Sequence, residues 1–90
     1  GALDVITRGE MQDWLLSVRK QMNRTVLLVT HDMDEAIYLS DRILVLDGKK
    51  GKVRQEFTVK EEKRNREWLY EQGALRREIY KEIMEGKVNV

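Results

Sequence analysis

The residues with the greatest potential for chemistry lie around the single histidine of the chain, in the stretch Val29-Thr30-His31-Asp32. A continuous apolar and β-branched run at 25–30 precedes this histidine and predicts a strand buried on both faces. A short helix is predicted to follow, from Asp32 to Ser40. The carboxyl end of a buried strand is where α/β folds bind their ligands. His31 could there donate a hydrogen bond to a phosphate oxygen or orient a water molecule, or it could simply cap or pack.

Two acidic residues close to this histidine have two interpretations. Asp32 and Glu35 could form a catalytic carboxylate pair or ligate a metal ion. At the start of a helix, however, acidic side chains more often stabilise its positive end, and we favour that interpretation and predict no metal site. The chain has no cysteine, which excludes disulfide bonds and thiolate metal sites and suits a reducing compartment such as the cytoplasm.

Composition limits the classes of partner. Ninety residues with 41% apolar content are enough for one small domain, and a net charge of +1 gives no overall field that would attract nucleic acid. A basic cluster at 49–54 lies beside Phe57, but a turn rich in lysine is usually solvated, so we predict no nucleic-acid partner. The apolar runs are far shorter than the roughly 20 residues of a membrane span, so any membrane role is peripheral.

The remaining pattern predicts the elements that must position the histidine. A helix is predicted over 4–23, with Asp4 as its N-cap and a buried stripe formed by Met11, Leu15, Val18 and Met22 and widened by Trp14. After the helix at 32–40, a second apolar strand is predicted at 42–46. The turn composition at 47–51 and the alternation at 52–59 then predict a β-hairpin with one solvated face.

The last part of the chain is predicted to be helical over 61–85. Its apolar seam consists of Trp68, Leu75, Ile79 and Ile83, with Gly73 as a possible break and Gly86 as the stop. The order helix, strand, helix, strand, strand, helix is typical of an α/β fold.

Two motifs resemble one protein family. Thr30-His31-Asp32 with Glu35-Ala36 and then Ser40-Asp41-Arg42-Ile43 is similar to the switch-histidine region of ABC transporter ATPases. Gly1-Ala2-Leu3-Asp4 with Thr7-Arg8 resembles the D-loop of the same family and the helix that follows it. The motifs occur in the family's order and separation, and the resemblance covers roughly residues 1–60. Residues 61–90 fit as a variable C-terminal helix.

The resemblance implies a fold and a set of roles. The chain would be a partial ABC ATPase domain: the C-terminal part of the P-loop NTPase parallel sheet with flanking helices, plus a hairpin and a C-terminal helix. In the intact subunit His31 would contact the γ-phosphate of ATP, bound with Mg²⁺. Asp4, with Ala2 and Leu3, would lie at the interface with a second ATPase subunit.

The resemblance also implies a location and a transport role. The partners of the intact subunit would be that second ATPase subunit and a membrane permease, at the inner face of the cell membrane. The stretch from Ala36 to Ile43, with Met11-Gln12 and Trp14-Leu15-Leu16, looks most like the nitrate, sulfonate and taurine importers.

The chain also departs from the family pattern. It contains no G-x-x-x-x-G-K-[ST] loop, no Leu-Ser-Gly-Gly signature, and no segment before Gly1 to supply the Mg²⁺-linked aspartate and the catalytic glutamate. We therefore expect this chain alone neither to bind nor to hydrolyse ATP.

The resemblance further predicts an incomplete sheet. In the family, both strands that flank the one corresponding to 26–30 come from segments that this chain lacks, so self-association is expected. The alternative is a small self-contained α/β interaction module in which both motif matches are coincidental. A natural truncation with a regulatory role is a third possibility.

Overall fold

The computed structural model describes residues 2–22 and 24–88, with side chains described for 7–22 and 24–86. Within these residues the chain forms helices and strands in an α/β arrangement, as predicted. In chain order they are α1 (Ala2–Val18), α2 (Met33–Leu39), β1 (Arg42–Leu46), β2 (Val53–Thr58), α3 (Arg66–Tyr70) and α4 (Gly73–Val88). None of the helices in this described part combines the length and apolarity that a membrane span requires.

The predicted hairpin is confirmed. β1 and β2 pair antiparallel, with Ile43 opposite Phe57 and Val45 opposite Gln55. The turn closes through a hydrogen bond from the Gly51 amide to the Asp47 carbonyl, 2.8 Å, and Gly51 takes a left-handed φ of 64°, which glycine adopts without steric cost. A bulge between Val45 and Leu46 shifts the register, so that Val53 pairs with Leu46.

The bulge changes which side chains of β2 face solvent. Ile43 and Val45 are buried, whereas Leu46 and Val53, beyond the register shift, are 57% and 53% exposed. The extra residue reverses the alternation of the strand, and Val53 therefore lies on the solvent side.

The core is built almost entirely from residues after the histidine. Its buried apolar side chains come from α2, β1, the residue directly after β2, α3 and α4: Ile37, Tyr38, Ile43, Val45, Val59, Leu69 and Ile79. Leu75, Ile83 and Trp68, from the predicted C-terminal seam, pack partly against this cluster.

The C-terminal region differs from the single helix predicted over 61–85. Residues 61–65 precede a short α3, whose N-cap is the Asn65 side chain, accepting from the Trp68 amide. The predicted break at Gly73 is confirmed, since α4 begins there, but Gly86 does not stop the helix, which continues to Val88. Gly86 instead allows a close approach, because a Cβ at this position would lie 3.1 Å from the Arg54 side chain.

α1 turns a different face inward from the one predicted. Of the predicted stripe, Met11 and Met22 are 50% and 42% exposed, and Trp14, which was expected to widen it, is 61% exposed. Gln12 is buried and Leu16 packs partly on the core, so the helix is rotated by one residue, about 100°, from the prediction. Leu15 and Val18 of the predicted stripe are partly buried, so the stripe is only partly right. The prediction fails at Met11 and Trp14 because α1 meets the rest of the chain largely through polar contacts.

The boundaries of α1 also differ from the prediction. The helix ends at Val18 instead of Asn23, and it begins at Ala2, so that Asp4 lies in its first turn instead of capping it.

The strand predicted at 25–30 is not formed. This segment has no regular secondary structure, and Val26, Leu27 and Val29 are 63%, 84% and 86% exposed. A strand requires a partner for its backbone N–H and C=O groups, and in the described residues β1 and β2 pair only with each other. The parallel sheet that was expected is therefore absent from the described part of the chain.

The buried side chain of Arg64 connects the end of α2 to the hairpin and α3. Its guanidinium donates to backbone carbonyls at 2.6 to 3.2 Å, those of Ile37, Tyr38, Ser40, Val59 and Glu61. The same group lies 3.6 Å from the Asp41 carboxylate and 5.3 Å from the centre of the Trp68 ring. Burial lowers the pKa of Arg64, as does the nearby charge of Arg19, while Asp41 and Glu61 oppose the shift. Arginine nevertheless remains protonated in proteins.

We expect Arg64→Met to lower the free energy of unfolding by about 3 kcal/mol, because each buried carbonyl left without a donor costs about 1–3 kcal/mol. The stability of Arg64→Lys should fall between those of the wild type and Arg64→Met, because an ammonium group keeps the charge but lacks the planar set of donors. Urea denaturation followed by tryptophan fluorescence measures the effect, with Arg77→Met on the exposed side of α4 as control. Equal midpoints for Arg64→Met and Arg77→Met would refute the role assigned to Arg64.

Candidate functional site

His31 lies between two residues whose side chains both bind the backbone. The Thr30 hydroxyl accepts from the Asp32 amide at 3.0 Å, and the Asp32 carboxylate accepts from the amides of Asp34 and Glu35 at 3.0 and 3.2 Å. Asp32 is thereby the N-cap of α2, which confirms the interpretation of this residue as a stabiliser of the helix start. These two local turns leave the His31 side chain exposed immediately before the helix.

The Glu35 carboxylate connects this segment to α1. It lies in the first turn of α2, is partly buried, and accepts a hydrogen bond from Gln12 Nε2 at 3.1 Å. That bond is the main reason why the pKa of Glu35 lies below its ordinary value of 4.5; burial opposes the shift, and Thr30, Arg8 and His31 assist it. An ionised Glu35 is thus held among groups of both sequence motifs.

Two further contacts join α1 to α2. Arg8 Nη1 lies 3.9 Å from the Asp32 carboxylate, and the Tyr38 hydroxyl donates to Asp13 Oδ1 at 2.8 Å. Burial raises the pKa of Tyr38, and the Asp13 carboxylate raises it further. The structure therefore brings the helix that follows the D-loop-like motif against the segment that carries His31.

The other predicted site residues lie at the beginning of α1. The backbone of Ala2, Leu3 and Asp4 is helical, but their side chains lie outside the described residues. Their role at a subunit interface therefore remains a prediction. Over the part of the chain that the structure describes, no three His, Cys, Asp or Glu side chains are grouped as a metal site would require.

The basic cluster near the hairpin turn divides into two parts. Lys49, Lys50 and Lys52 are exposed, as expected of a solvated turn. Arg54 is partly buried instead, lies against Gly86, and has its Nη2 3.9 Å from the Glu82 carboxylate of α4. Arg54 thus belongs to the contact between hairpin and α4.

The sequence did not single out the polar residues that assemble this site. Gln12 is buried on a helix whose apolar stripe pointed elsewhere, and Arg66 and Arg76 lie in a highly charged region. Arg66 contacts Gln12 at 3.2 Å and Arg76 contacts Asp34 at 2.7 Å. A partly buried arginine in a charged run has the same sequence pattern as an exposed one, so no signal distinguished Arg66 and Arg76.

We expect the destabilisation caused by Gln12→Leu to depend on pH. Because the pKa of Glu35 is lowered by folding, the stability that it contributes is present above pH 4.5 and is lost as the pH falls through the lowered pKa. The difference in unfolding free energy between wild type and variant should therefore be largest above pH 4.5 and shrink in more acidic solution. Urea titrations across this range measure it. The exposed Gln21→Leu is the control, and a pH-independent difference would contradict the assignment.

The chain is similar to parts of longer curated proteins. The aliphatic sulfonates import ATP-binding protein SsuB of Bacillus cereus is 51% identical over 53 residues, which cover 59% of this chain and 21% of SsuB. SsuB 1 of Pseudomonas aeruginosa is 50% identical over 58 residues, 64% of this chain and 23% of the relative. SsuB of Bacillus anthracis is 49% identical over 53 residues, 59% of this chain and 21% of the relative.

The chain spans about a fifth of the length of the curated relatives that it matches. No protein-family model and no solved structure matches it. Half of the aligned positions are nevertheless identical to those of sulfonate importer subunits, and the two motifs that carry the resemblance contact each other in the structure. The chain is therefore a homologue of the ATP-binding subunits of ABC transporters, matching one portion of their length.

Proposed function

We propose that these residues serve in the ATP-binding subunit of an ABC importer that takes up solutes of the sulfonate, nitrate or taurine type. In the intact subunit His31 contacts the γ-phosphate of ATP, and Asp4, with Ala2 and Leu3, lies at the interface with the second ATPase subunit. A membrane permease is the other partner, which puts the subunit at the inner face of the membrane. The identity with SsuB proteins is the observation that carries this proposal.

The geometry of the site supports the assignment of His31. The imidazole is exposed at the start of α2, where it is free to approach a ligand. Glu35 and Asp32, on the same turn, are tied to α1 through Gln12 and Arg8. A displacement of α1 would therefore be transmitted to the segment that carries the histidine. Coupling between two ATPase sites requires such a connection.

We do not expect the described residues alone to form a nucleotide site. One groove among them, of about 540 Å³, lies between α1 and the loop before α3, and His31 is not one of its lining residues. No glycine-rich phosphate loop occurs in the sequence. ATP and Mg²⁺ therefore belong to the proposal for the intact subunit, in which 25–30 joins a parallel sheet.

We expect the 90-residue chain to show no ATP turnover, because phosphoryl transfer depends on positioning and electrostatic groups that it lacks. A coupled phosphate-release assay and calorimetric titration with Mg·ATP test this, with His31→Ala as the matched variant. Turnover that disappears in His31→Ala would contradict the expectation. Turnover equal in both proteins would indicate a contaminating enzyme.

The importer proposal itself is tested by the nucleotide sequence of the gene upstream of the Gly1 codon. The reading frame upstream of the Gly1 codon should encode an apolar run followed by Asp-Glu, and further upstream a phosphate loop and a Leu-Ser-Gly-Gly signature. The protein encoded by that whole frame should hydrolyse ATP, and His31→Ala should abolish this activity. A complete upstream reading frame that encodes none of these segments would instead favour the second candidate, a self-contained interaction module.

That second candidate is a self-contained interaction module without a nucleotide role. One observation favours it: among the described residues, those from Met33 to Ile83 supply every buried apolar side chain of the core cluster, and Leu16 of α1 packs only at its edge. The same observation is compatible with the importer proposal, since a C-terminal subdomain with its own core can belong to a larger protein. The reading frame distinguishes the two.

We also expect the isolated chain to self-associate through 25–30. Its apolar side chains are exposed, and an unpaired extended segment recruits other strands. Light scattering on a sizing column should give a mass above the 10.7 kDa of one chain, falling towards it in Leu27→Lys. Tyr70→Lys is the control, since Tyr70 is 75% exposed on α3. A monodisperse monomer at all concentrations would refute this expectation.

A further inference from the structure

The contact between α1 and α2 is supported by a third element, the segment from Arg64 to Arg76. Arg66 touches both helices. Its Nη2 donates to the Gly9 carbonyl at 3.0 Å and to Asp13 at 3.1 Å, and its guanidinium lies 4.5 Å from the centre of the Tyr38 ring. One planar cation thus spans α1 and the buried side of α2.

Arg66 also fixes the orientation of an amide. Its Nη1 donates to Gln12 Oε1 at 3.2 Å, and the Nε2 end of the same amide donates to Glu35 at 3.1 Å. The carbonyl of a glutamine side chain accepts and its NH₂ donates, so a donor on Oε1 selects the orientation that presents Nε2 to the carboxylate. Arg66 therefore acts on Glu35 through Gln12.

Arg76 holds the neighbouring residue of α2. From α4 its Nε donates to Asp34 Oδ1 at 2.7 Å, and its Nη2 donates to the Leu69 carbonyl at 3.0 Å. Asp34 and Glu35 form the acidic first turn of α2, directly after His31 and Asp32. Arginines of the C-terminal segment thus bind this turn, one directly and one through Gln12.

We infer that Arg66 and Arg76 are positioning residues, which fix the first turn of α2, and with it His31, relative to α1. The functional consequence of this inference rests on the proposed function. In the intact ATPase subunit, the C-terminal segment, which lies outside the resemblance, would set the position of the histidine that contacts ATP. The contacts themselves join only groups of this chain. They are therefore testable without any activity.

The first test follows Glu35. Its carboxyl carbon is titrated by ¹³C NMR in wild type, Arg66→Met and Gln12→Leu. Both variants should raise the pKa of Glu35. Arg66→Met frees the Gln12 amide to rotate away from Glu35, and Gln12→Leu removes that amide. The groups that face this carboxylate are otherwise unchanged: Arg8 on α1, and Thr30 and His31 before α2. Combining the two substitutions should add nothing to Gln12→Leu alone. An unchanged Glu35 titration in Arg66→Met would overturn the action of Arg66 on Glu35 through Gln12. Additive pKa changes in the double variant would overturn it as well.

The second test follows His31 and uses neighbouring arginines as a matched pair. Arg76→Gln and Arg77→Gln remove the same charge from adjacent positions of α4, and Arg77 is exposed. At fixed pH, the ring resonances of His31 and the amides of 31–35 should shift in Arg76→Gln, stay in place in Arg77→Gln, and partly return in Arg76→Lys. Equal shifts in both Gln variants would show a general charge effect and overturn the role of Arg76.

Methyl resonances of Ile37 and Ile79 report whether the core is intact in each variant. If Arg66→Met loses that core, Arg66→Lys provides the test. Lysine keeps the positive charge but has a single nitrogen as donor, so the rise in the pKa of Glu35 should be smaller. A folded Arg66→Lys without any rise counts against the inference. Because no measurement uses ATP, these failures are separate from failure of the importer proposal, which the upstream reading frame decides.

Discussion

Arg64 donates from the loop before α3 to carbonyls at the end of α2 and beside β2, and its side chain is fully excluded from solvent. The last carbonyls of a helix have no partner within the helix, and they carry the negative end of its dipole. A guanidinium provides several donors and a positive charge in one plane, which is what such an end requires. The junction of α2, hairpin and α3 is closed by this one side chain, and the surrounding apolar cluster packs around an already satisfied polar centre.

The attachment of α1 is of another kind. It contributes Leu16 to the edge of the core, and its polar contacts include those of Gln12 with Glu35 and of Asp13 with Arg66 and Tyr38. Arg19, directly after the helix, forms an ion pair with Asp41 at 2.7 Å. Partly exposed ionic contacts are screened by salt, whereas burial in the core is not. In the described residues, a C-terminal apolar core is therefore joined to α1 mainly through polar and charged contacts.

The sequence predicted those elements whose signals are local. α2 has a capping aspartate and a short apolar repeat, and the hairpin has its turn glycine and alternation, so both were predicted close to their observed bounds. The strand at 25–30 was predicted from composition, but a strand needs neighbours, and the described residues offer none to Val26 or Leu27. The inward face of α1 was predicted from its apolar stripe, yet the surface that it meets is polar.

The site was predictable only in part. His31 was identified from its place between an apolar run and a helix, and the resemblance gave it a role. The residues that fix its surroundings were not found, because Gln12, Arg66 and Arg76 act through contacts across 23 to 54 positions of the sequence. Long-range polar pairs leave no periodicity in a single sequence.

The two turns at Thr30 and Asp32 have a consequence of their own. Each is closed by a side chain that binds an amide two or three positions along the chain, so the outward projection of the imidazole is encoded within six consecutive residues, 30–35. Nothing in that hydrogen bonding depends on whether the preceding apolar run is paired. The position of the histidine is thus set by a local unit, and the hydrogen bonds of that unit involve only residues 30–35.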